Sequence, residues 1–214
     1  MPSSAVSAQL TVVKIATGTG GAKTITAIAL GSPTILTATA HGLNNGDVVT
    51  LAGLTGANAA LLNGLNFTVK SKTTNTFAVD VDTTGQVVTA SGTATPITFT
   101  QVKNLKTIGG LDGSAADIDV SNLDSVAKEN RPGLPDSGQW TMQVDDDPTD
   151  AGQIAVRAAA QATPPTIKQW QVTYPNGKVL TFTAWVKKYS VSAAVDQIIK
   201  GDIALRITGP YTLV

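Results

Sequence analysis

Hydrophobicity alternates with a period of two through the last third of the chain, and this pattern leaves few options other than β-strand. Trp170, Val172 and Tyr174 alternate with Gln169, Gln171 and Thr173. Leu180, Phe182, Ala184 and Val186 alternate with Val179, Thr181, Thr183 and Trp185. Ile199, Gly201, Ile203, Leu205 and Ile207 alternate with Lys200, Asp202, Ala204, Arg206 and Thr208. Successive side chains of a strand point to opposite faces, so such a pattern predicts strands with one buried face. Pro175-Asn176-Gly177 between the first two runs reads as a hairpin turn, with Pro pre-set in φ and Gly free to take a positive φ.

The remainder is also strand-like, but in shorter pieces. The 31 Thr and 20 Gly among 214 residues favour pleated surfaces and turns. Residues 1–9 are expected to be extended or unordered in isolation. Residues 9–17 read as a first strand and residues 17–22 as a flexible Gly-rich break. Residues 34–40, 48–51, 67–71, 76–81, 87–90 and 92–96 read as short strands, and residues 99–107 as a longer one. Residues 108–116 read as a Gly-rich turn, 117–120 and 139–144 as strands, and 121–138 as a long polar loop. One helix is predicted over about 147–162, with Asp147 as N-cap, Pro148 at the first helical position and Asp150 in the first turn. Thr163-Pro164-Pro165 stops it.

Charge is sparse and unevenly placed. Only 14% of residues are charged, and the formal net charge is zero. Residues 23–96 hold three Lys and three Asp, and the other 12 basic and 12 acidic residues lie outside that segment. This shift marks the best domain boundary. Neutrality argues against general nucleic-acid binding, which needs a basic field. A surface so poor in charge suits a chain whose working state is an assembly. Without Cys there is no disulfide, thiolate nucleophile or Cys-based metal site, and a single His leaves no His cluster. No apolar run is long enough to span a membrane as a helix, and Met1–Leu10 shows no leader pattern.

Chemical motifs fail on inspection. Gly18-Thr19-Gly20-Gly21-Ala22-Lys23-Thr24 has the look of a phosphate loop, but Ala22 separates the last Gly from Lys23, and no amphipathic helix follows. His41, with Asp47 as a conceivable orienting partner, is the sole imidazole; at a strand end it reads as a turn or rim histidine. Asp145-Asp146-Asp147 with Asp150 breaks the calcium-loop register, because Asp150 stands where Gly is required and Val156 where Glu is required. These carboxylates read as an acidic helix N-terminus. Asn66-Phe67-Thr68 is a glycosylation sequon with no secretion context. Trp140 and Trp170 read as core or interface aromatics. Trp185, on the face opposite Leu180 and Phe182, either covers the helix or packs on another subunit. No catalytic, cofactor-binding or metal-binding residues are assigned, and no enzyme activity is expected.

A resemblance supplies what the motifs do not. Tyr174-Pro175-Asn176-Gly177-Lys178, Phe182-Thr183-Ala184-Trp185-Val186, Ala194-Val195-Asp196 and Leu205-Arg206-Ile207-Thr208-Gly209-Pro210 resemble the closing strands of tail tube (major tail) proteins. These are structural proteins of bacteriophages with long non-contractile tails, the siphovirus type. Ile118-Asp119-Val120, Leu123-Asp124-Ser125, Ala127-Lys128-Glu129, Pro132-Gly133-Leu134 and Asp136-Ser137-Gly138 agree, as does Asp147-Pro148-Thr149-Asp150-Ala151-Gly152-Gln153. The resemblance covers residues 1–21 and 97–214 and implies a mainly β tail-tube sandwich or barrel with one flanking helix. Residues 22–96 depart from it. They resemble a small β-barrel known from the first catalytic cysteine half-domain of ubiquitin-activating enzymes; with no Cys in the chain, the likeness is one of shape. An inserted module on the outer surface is the expectation, serving in adhesion, inter-ring bracing or neither.

The family resemblance implies homo-hexameric rings that stack into a self-assembling tube, a conduit for genome ejection around a tape-measure protein. Tail terminator and distal tail proteins would sit at its ends, and DNA would pass without specific binding. The location implied is the virion tail, after assembly in the host cytoplasm, with no membrane partner. Lumen-facing strands are expected among residues 99–107, 139–144, 178–188 and 198–208. Lys187, Lys188, Lys200 and Arg206 are then expected to be paired with carboxylates or to face away. The alternatives are a tail terminator, a tube protein of a phage-derived bacteriocin or gene-transfer particle, and a carbohydrate- or receptor-binding β-module.

Overall fold

A computed structural model of the chain describes residues 8–214. Most of what was expected of residues 1–9, the reading of the extreme N-terminus for a leader, and the first residues of the 1–21 segment lie outside the described residues. In chain order the first strands are β1 (Val12–Thr19), β2 (Lys23–Thr24), β3 (Ala27–Ala29), β4 (Thr34–Thr37) and β5 (Val48–Ala52). A single 3-10 turn (Ala59–Leu61) precedes β6 (Asn66–Thr68), β7 (Thr76–Val79), β8 (Thr93–Val102) and β9 (Leu105–Gly110). Then follow β10 (Ala115–Asp119), β11 (Asn130–Pro135), β12 (Gln139–Asp145), α1 (Ala151–Gln161), β13 (Ile167–Thr173), β14 (Val179–Ser192) and β15 (Lys200–Leu213). The protein is mainly β with one α-helix among the described residues.

One antiparallel sheet runs β6-β5-β8-β1-β13-β14-β15-β12-β9, with β2 also paired to β8. β3-β4-β7 form a second sheet, and β10-β11 a two-stranded ribbon. Two separate apolar cores result. The first buries alternate residues of the long strands, among them Ile15, Trp170, Phe182, Leu205 and Trp140, under Val156 and Ala159 of α1. The second buries Leu36, Leu51, Leu62, Phe77 and Val79. Strand β8 serves both: Ala94 lies in the second core and Val102 in the first. Its first half pairs with β5 and β2, and its second half with β1.

The two cores also touch through side chains. Gln171 Nε2 donates to the Gly46 carbonyl at 2.6 Å. Gly46 has φ +91°, and a Cβ there would stand 3.1 Å from Val179 Cβ. Gln171 and Thr181 lie on the polar face of the sheet, yet both are buried.

The structure corrects several expectations. The helix begins at Ala151, with Asp150 and not Asp147 as its N-cap; Asp150 Oδ1 accepts from Gln153 N at 2.9 Å. Asp147 instead accepts from the backbone N–H and hydroxyl of Thr149 at 2.8 and 2.7 Å, a local turn that competes with helix and leaves Pro148 outside it. The strand expected over 99–107 is two strands, broken where Asn104 takes φ +59°. Strand β8 continues through Pro96 instead of ending there. β9 extends into the expected Gly-rich turn as far as Gly110. Residues 87–90 form no strand and only an isolated bridge, Thr55 to Thr89. The 121–138 loop contains β11, which pairs with β10 as a ribbon with a register shift between Ala115 and Asp117. The sequence hid it because both of its faces are exposed, so no alternation is imposed.

Candidate assembly surfaces

The residues singled out for chemistry are occupied structurally and do not converge. His41 is buried in the second core region. Its Nδ1 accepts from Leu43 N at 3.0 Å, and its Nε2 lies 3.2 Å from the Thr76 carbonyl, so the bonds select the neutral ring protonated at Nε2. The ring meets Phe77 edge-on at 5.4 Å. Asp47 is engaged elsewhere, with its Oδ2 accepting from Asn44 N at 2.7 Å. The Gly-rich stretch after β1 leads into β2, a strand, where a phosphate loop needs a helix.

The acidic cluster divides its work. Asp145 pairs with Lys106 at 2.9 Å, and Asp150 caps α1. Asp146, almost fully buried, pairs with Arg157 at 2.5 Å and accepts from the Tyr189 hydroxyl at 2.7 Å. Arg157 also lies over the Tyr189 ring, 5.2 Å from its centre. Burial, and then the bond to Asp146, push the Tyr189 pKa up to about 12. Gln153, fully buried, donates to the carbonyls of Lys103 and Asp145 and accepts from Asp147 N. These bonds fix α1 on the sheet. They leave no cluster of metal-ligating side chains among the described residues.

Trp140 and Trp170 are core residues. Trp185 is half-buried on the face opposite Ala184 and Val186, whose side chains share the first core with the helix. It therefore does not cover α1, which removes one of its two expected roles. Its neighbours across the strands are Arg206 and Ile167.

That outer face is polar and nearly self-neutralised. It carries Gln139, Thr141 and Gln143 of β12 beside Arg206, Ala204 and Asp202 of β15. Arg206 pairs with Asp136. Gln143 Nε2 donates to Asp202 Oδ1 at 2.8 Å, and Lys187 reaches Gln139 Oε1 at 3.4 Å. Lys188 and Lys200 are exposed and make no ion pair among the described residues.

Two features at the ends of this sheet invite association. The β10–β11 ribbon is an arm with a fixed base. Asp112 Oδ1 accepts from Gln139 N at 2.5 Å, and Ser137 Oγ donates to the Gly209 carbonyl at 2.7 Å. The Asp136 carboxyl is held below its ordinary 3.8, first by the Gly138 N–H and then by Arg206. Beyond this base, Leu123 and Val126 are fully exposed, and Leu134 nearly so, at 92%. At the other end of the sheet, the end of β14 exposes Val191, and the β14–β15 connection exposes Val195 and Ile198. The outermost strands β9 and β6 each have one unpaired edge, the kind of edge that pairs with another chain unless blocked. The sequence presents residues 121–138 as a long polar loop suited to an inter-subunit arm, without the β10–β11 ribbon that holds it. Its signal was Leu123 and Val126 standing in an otherwise polar stretch.

A polar outer face, open strand edges and exposed apolar side chains thus occur together on one sheet, with no catalytic cluster among the described residues. A family profile described as phage tail tube, TTP, lambda-like, matches residues 67–178, just over half of the chain. The chain belongs to this family of phage tail tube proteins and is a structural component of the virion tail. Among solved structures, the tail of an empty GTA particle, computed with helical refinement and C6 symmetry, is similar at 12% identity and a TM-score of 0.45. That match covers 54% of this chain and 86% of that one. No curated protein sequence matches the chain.

Proposed function

We propose that the chain is the repeating subunit of a siphovirus-type tail tube, in which six copies close into a ring and rings stack. The carrying observation is the arm: its base is anchored by Asp112, Asp136 and Ser137, while Leu123 and Val126 are left wholly in solvent. Apolar side chains held out at the tip of a ribbon are a feature of surfaces that a partner covers. The open edge of β9 offers a second route of contact, by continuing the sheet into a neighbouring copy.

In this reading residues 1–21 and 97–214 are the tube core, and residues 22–96 are an inserted barrel on the tube's outside. The two separate apolar cores support that division. The neutral outer face of β12 and β15 lines the lumen. There a lining of Gln, Thr and paired charges lets tape-measure protein and then DNA slide, where unpaired cations would hold phosphate. Terminator and distal proteins close the tube's ends, the subunits are made in the host cytoplasm, and the protein catalyses no reaction.

Negative-stain microscopy of concentrated purified protein tests the reading. Rings or tubes are expected. A monodisperse monomer that binds glycans would replace it with a carbohydrate-binding module. Replacing residues 22–96 by a short Gly-Ser bridge tests the division, with tubes expected to persist. Loss of tubes on that deletion would show that the barrel braces the wall.

A further inference from the structure

A cleft of 410 Å³ lies where the β5–β6 pair of the second core meets the polar face of β13–β15. Gln169 of β13 and Thr181 and Thr183 of β14 line it from the main sheet, and Asn66, Phe67 and Thr68 of β6 from the opposite side. Two features hold these sides in place. Gln171, directly across from Thr181 in the β13–β14 register, bonds the Gly46 carbonyl and so ties the second core to the main sheet. The register of β15 on β14 slips between Thr208 and Thr212, so that Phe182 alone stands opposite Gly209, Pro210 and Tyr211. A bulge of this kind bends a strand and re-aims its side chains. Here it is fixed by the bond from Ser137 Oγ to the Gly209 carbonyl.

The lining is neutral and rich in hydroxyls. Eight of its thirteen residues carry a hydroxyl, amide or carboxyl group, and five of these are threonines. No Lys or Arg lines the cleft, and its one carboxylate, Asp80, is paired with Lys70. An anion therefore finds no free cation there, and a metal ion finds no set of carboxylates. The hydrogen-bonding groups are largely free. The five threonine hydroxyls and the Gln169 amide make no side-chain hydrogen bond among the described residues. Asn66 accepts from Thr50 through Oδ1, which leaves its amide nitrogen available. The Thr181 hydroxyl is buried and has no partner, a state rare enough in a folded protein to call for an explanation. Beside these groups stands one aromatic ring, Phe67, half-buried against the second core.

We propose that this cleft binds the ring of a neutral sugar. Sugar hydroxyls donate and accept at once, as threonine hydroxyls do, so the two sets match without any ionised group. One face of a sugar ring presents C–H groups, which suit the negative face of the Phe67 ring. A mostly apolar ligand would bury the polar lining without partners, and a charged one would lose water without gaining a counter-charge. Asn66 from one side and Gln169 from the other supply directional bonds, and Thr181 gains the partner it lacks within the chain. The volume falls within the range of small-molecule sites, about 300–1,000 Å³. The inference goes beyond the tube-subunit reading and does not rest on it.

Saturation-transfer NMR on the whole chain tests it, with glucose, galactose, mannose and N-acetylglucosamine as probes and the acidic N-acetylneuraminic acid as the control. At least one neutral sugar is expected to bind, and the acidic one is not. Thr181→Val keeps the side-chain shape and removes the hydroxyl. Because that hydroxyl makes no bond within the chain, the Tm is expected to stay equal or rise, while binding weakens about fivefold to tenfold. Phe67→Leu keeps an apolar side chain without the ring and is also expected to weaken binding. Silence of all four neutral sugars overturns the proposal, as does equal binding of the acidic one. A lowered Tm for Thr181→Val, or unchanged binding in both variants, overturns it too. Microscopy of the same preparation separates this proposal from the tube-subunit reading. Tubes that bind no sugar sink only the cleft proposal, and sugar binding by a chain that never forms rings or tubes sinks only the tube-subunit reading.

Discussion

Gln171 Nε2 donates to the carbonyl of Gly46 across 2.6 Å, joining two parts of the protein whose apolar cores are separate. Gln171 is buried, so its amide has exchanged water for this single carbonyl. Gln171→Ala leaves the Gly46 carbonyl without its donor and is expected to cost about 1–3 kcal/mol. Thermal denaturation checks it. Separation of one transition into two would show that this bond makes the cores melt together, and an unchanged Tm would show that the bond is dispensable.

Gly152 lets the start of α1 lie directly against the backbone of β8. A Cβ there would stand 2.0 Å from the Gln101 carbonyl oxygen, a backbone atom that cannot rotate away. Gly152→Ala is therefore expected to destabilise, despite the better helix propensity of Ala, by about 1–3 kcal/mol. Urea denaturation reads the sign directly, and a stabilised variant would mean that α1 shifts freely on the sheet.

Tyr189 couples stability to alkaline pH. Its pKa rises from 10.0 to about 12 because burial, and then the hydrogen bond that its hydroxyl donates to the Asp146 carboxylate, disfavour the phenolate. The folded state thus holds this proton more tightly than the unfolded state. The resulting stabilisation is complete below pH 10 and is lost as the pH rises toward about 12. Tyr189→Phe keeps the ring beside Arg157 and removes the ionisation. Between these pH values its denaturation midpoint is expected to fall less steeply than that of the wild type; parallel curves would contradict the assignment.

Asp136 makes the arm's base sensitive to acid. Its pKa is lowered from 3.8, first by the Gly138 N–H and then by Arg206. The anchoring is therefore complete above about that value and is lost as the pH falls below it. Asp136→Asn is expected to show loosened anchoring already at neutral pH, seen as faster amide exchange at Gly138 and Gln139 with little change in global Tm. Equal exchange in variant and wild type would mean that Asp112 and Ser137 hold the base unaided.

The most legible part of the fold was β13–β15, because each of these strands buries one face and so writes its period into the sequence. Pro175-Asn176-Gly177 marked the turn: Gly177 takes φ +81°, and Tyr174 N donates to the Lys178 carbonyl at 2.8 Å. The helix was legible except for its start, since Asp147-Pro148 imitates a cap that Asp150 supplies. Residues 92–96 and 99–107 read as separate strands on either side of the charge boundary; the single strand β8 crosses it, and Pro96 is accommodated as the chain passes from one core to the other. The arm was read as a loop because neither of its faces packs inward. Of the surface features, Trp185 was correctly singled out as lying opposite Leu180 and Phe182, but only the position of Val186 in the helix-covered core excludes it from the helix side.

The shared strand β8 has a mechanical consequence. A barrel on a flexible tether can be pushed without effect on what it is attached to. Here the same ten residues that hold Ala94 in one core hold Val102 in the other, with no hinge between them. A lateral force on the second core is therefore delivered as shear along the β1–β8 hydrogen-bond ladder, the stiff direction of a sheet. A load on the second core becomes strain in the main sheet, so that core acts as a lever on the first.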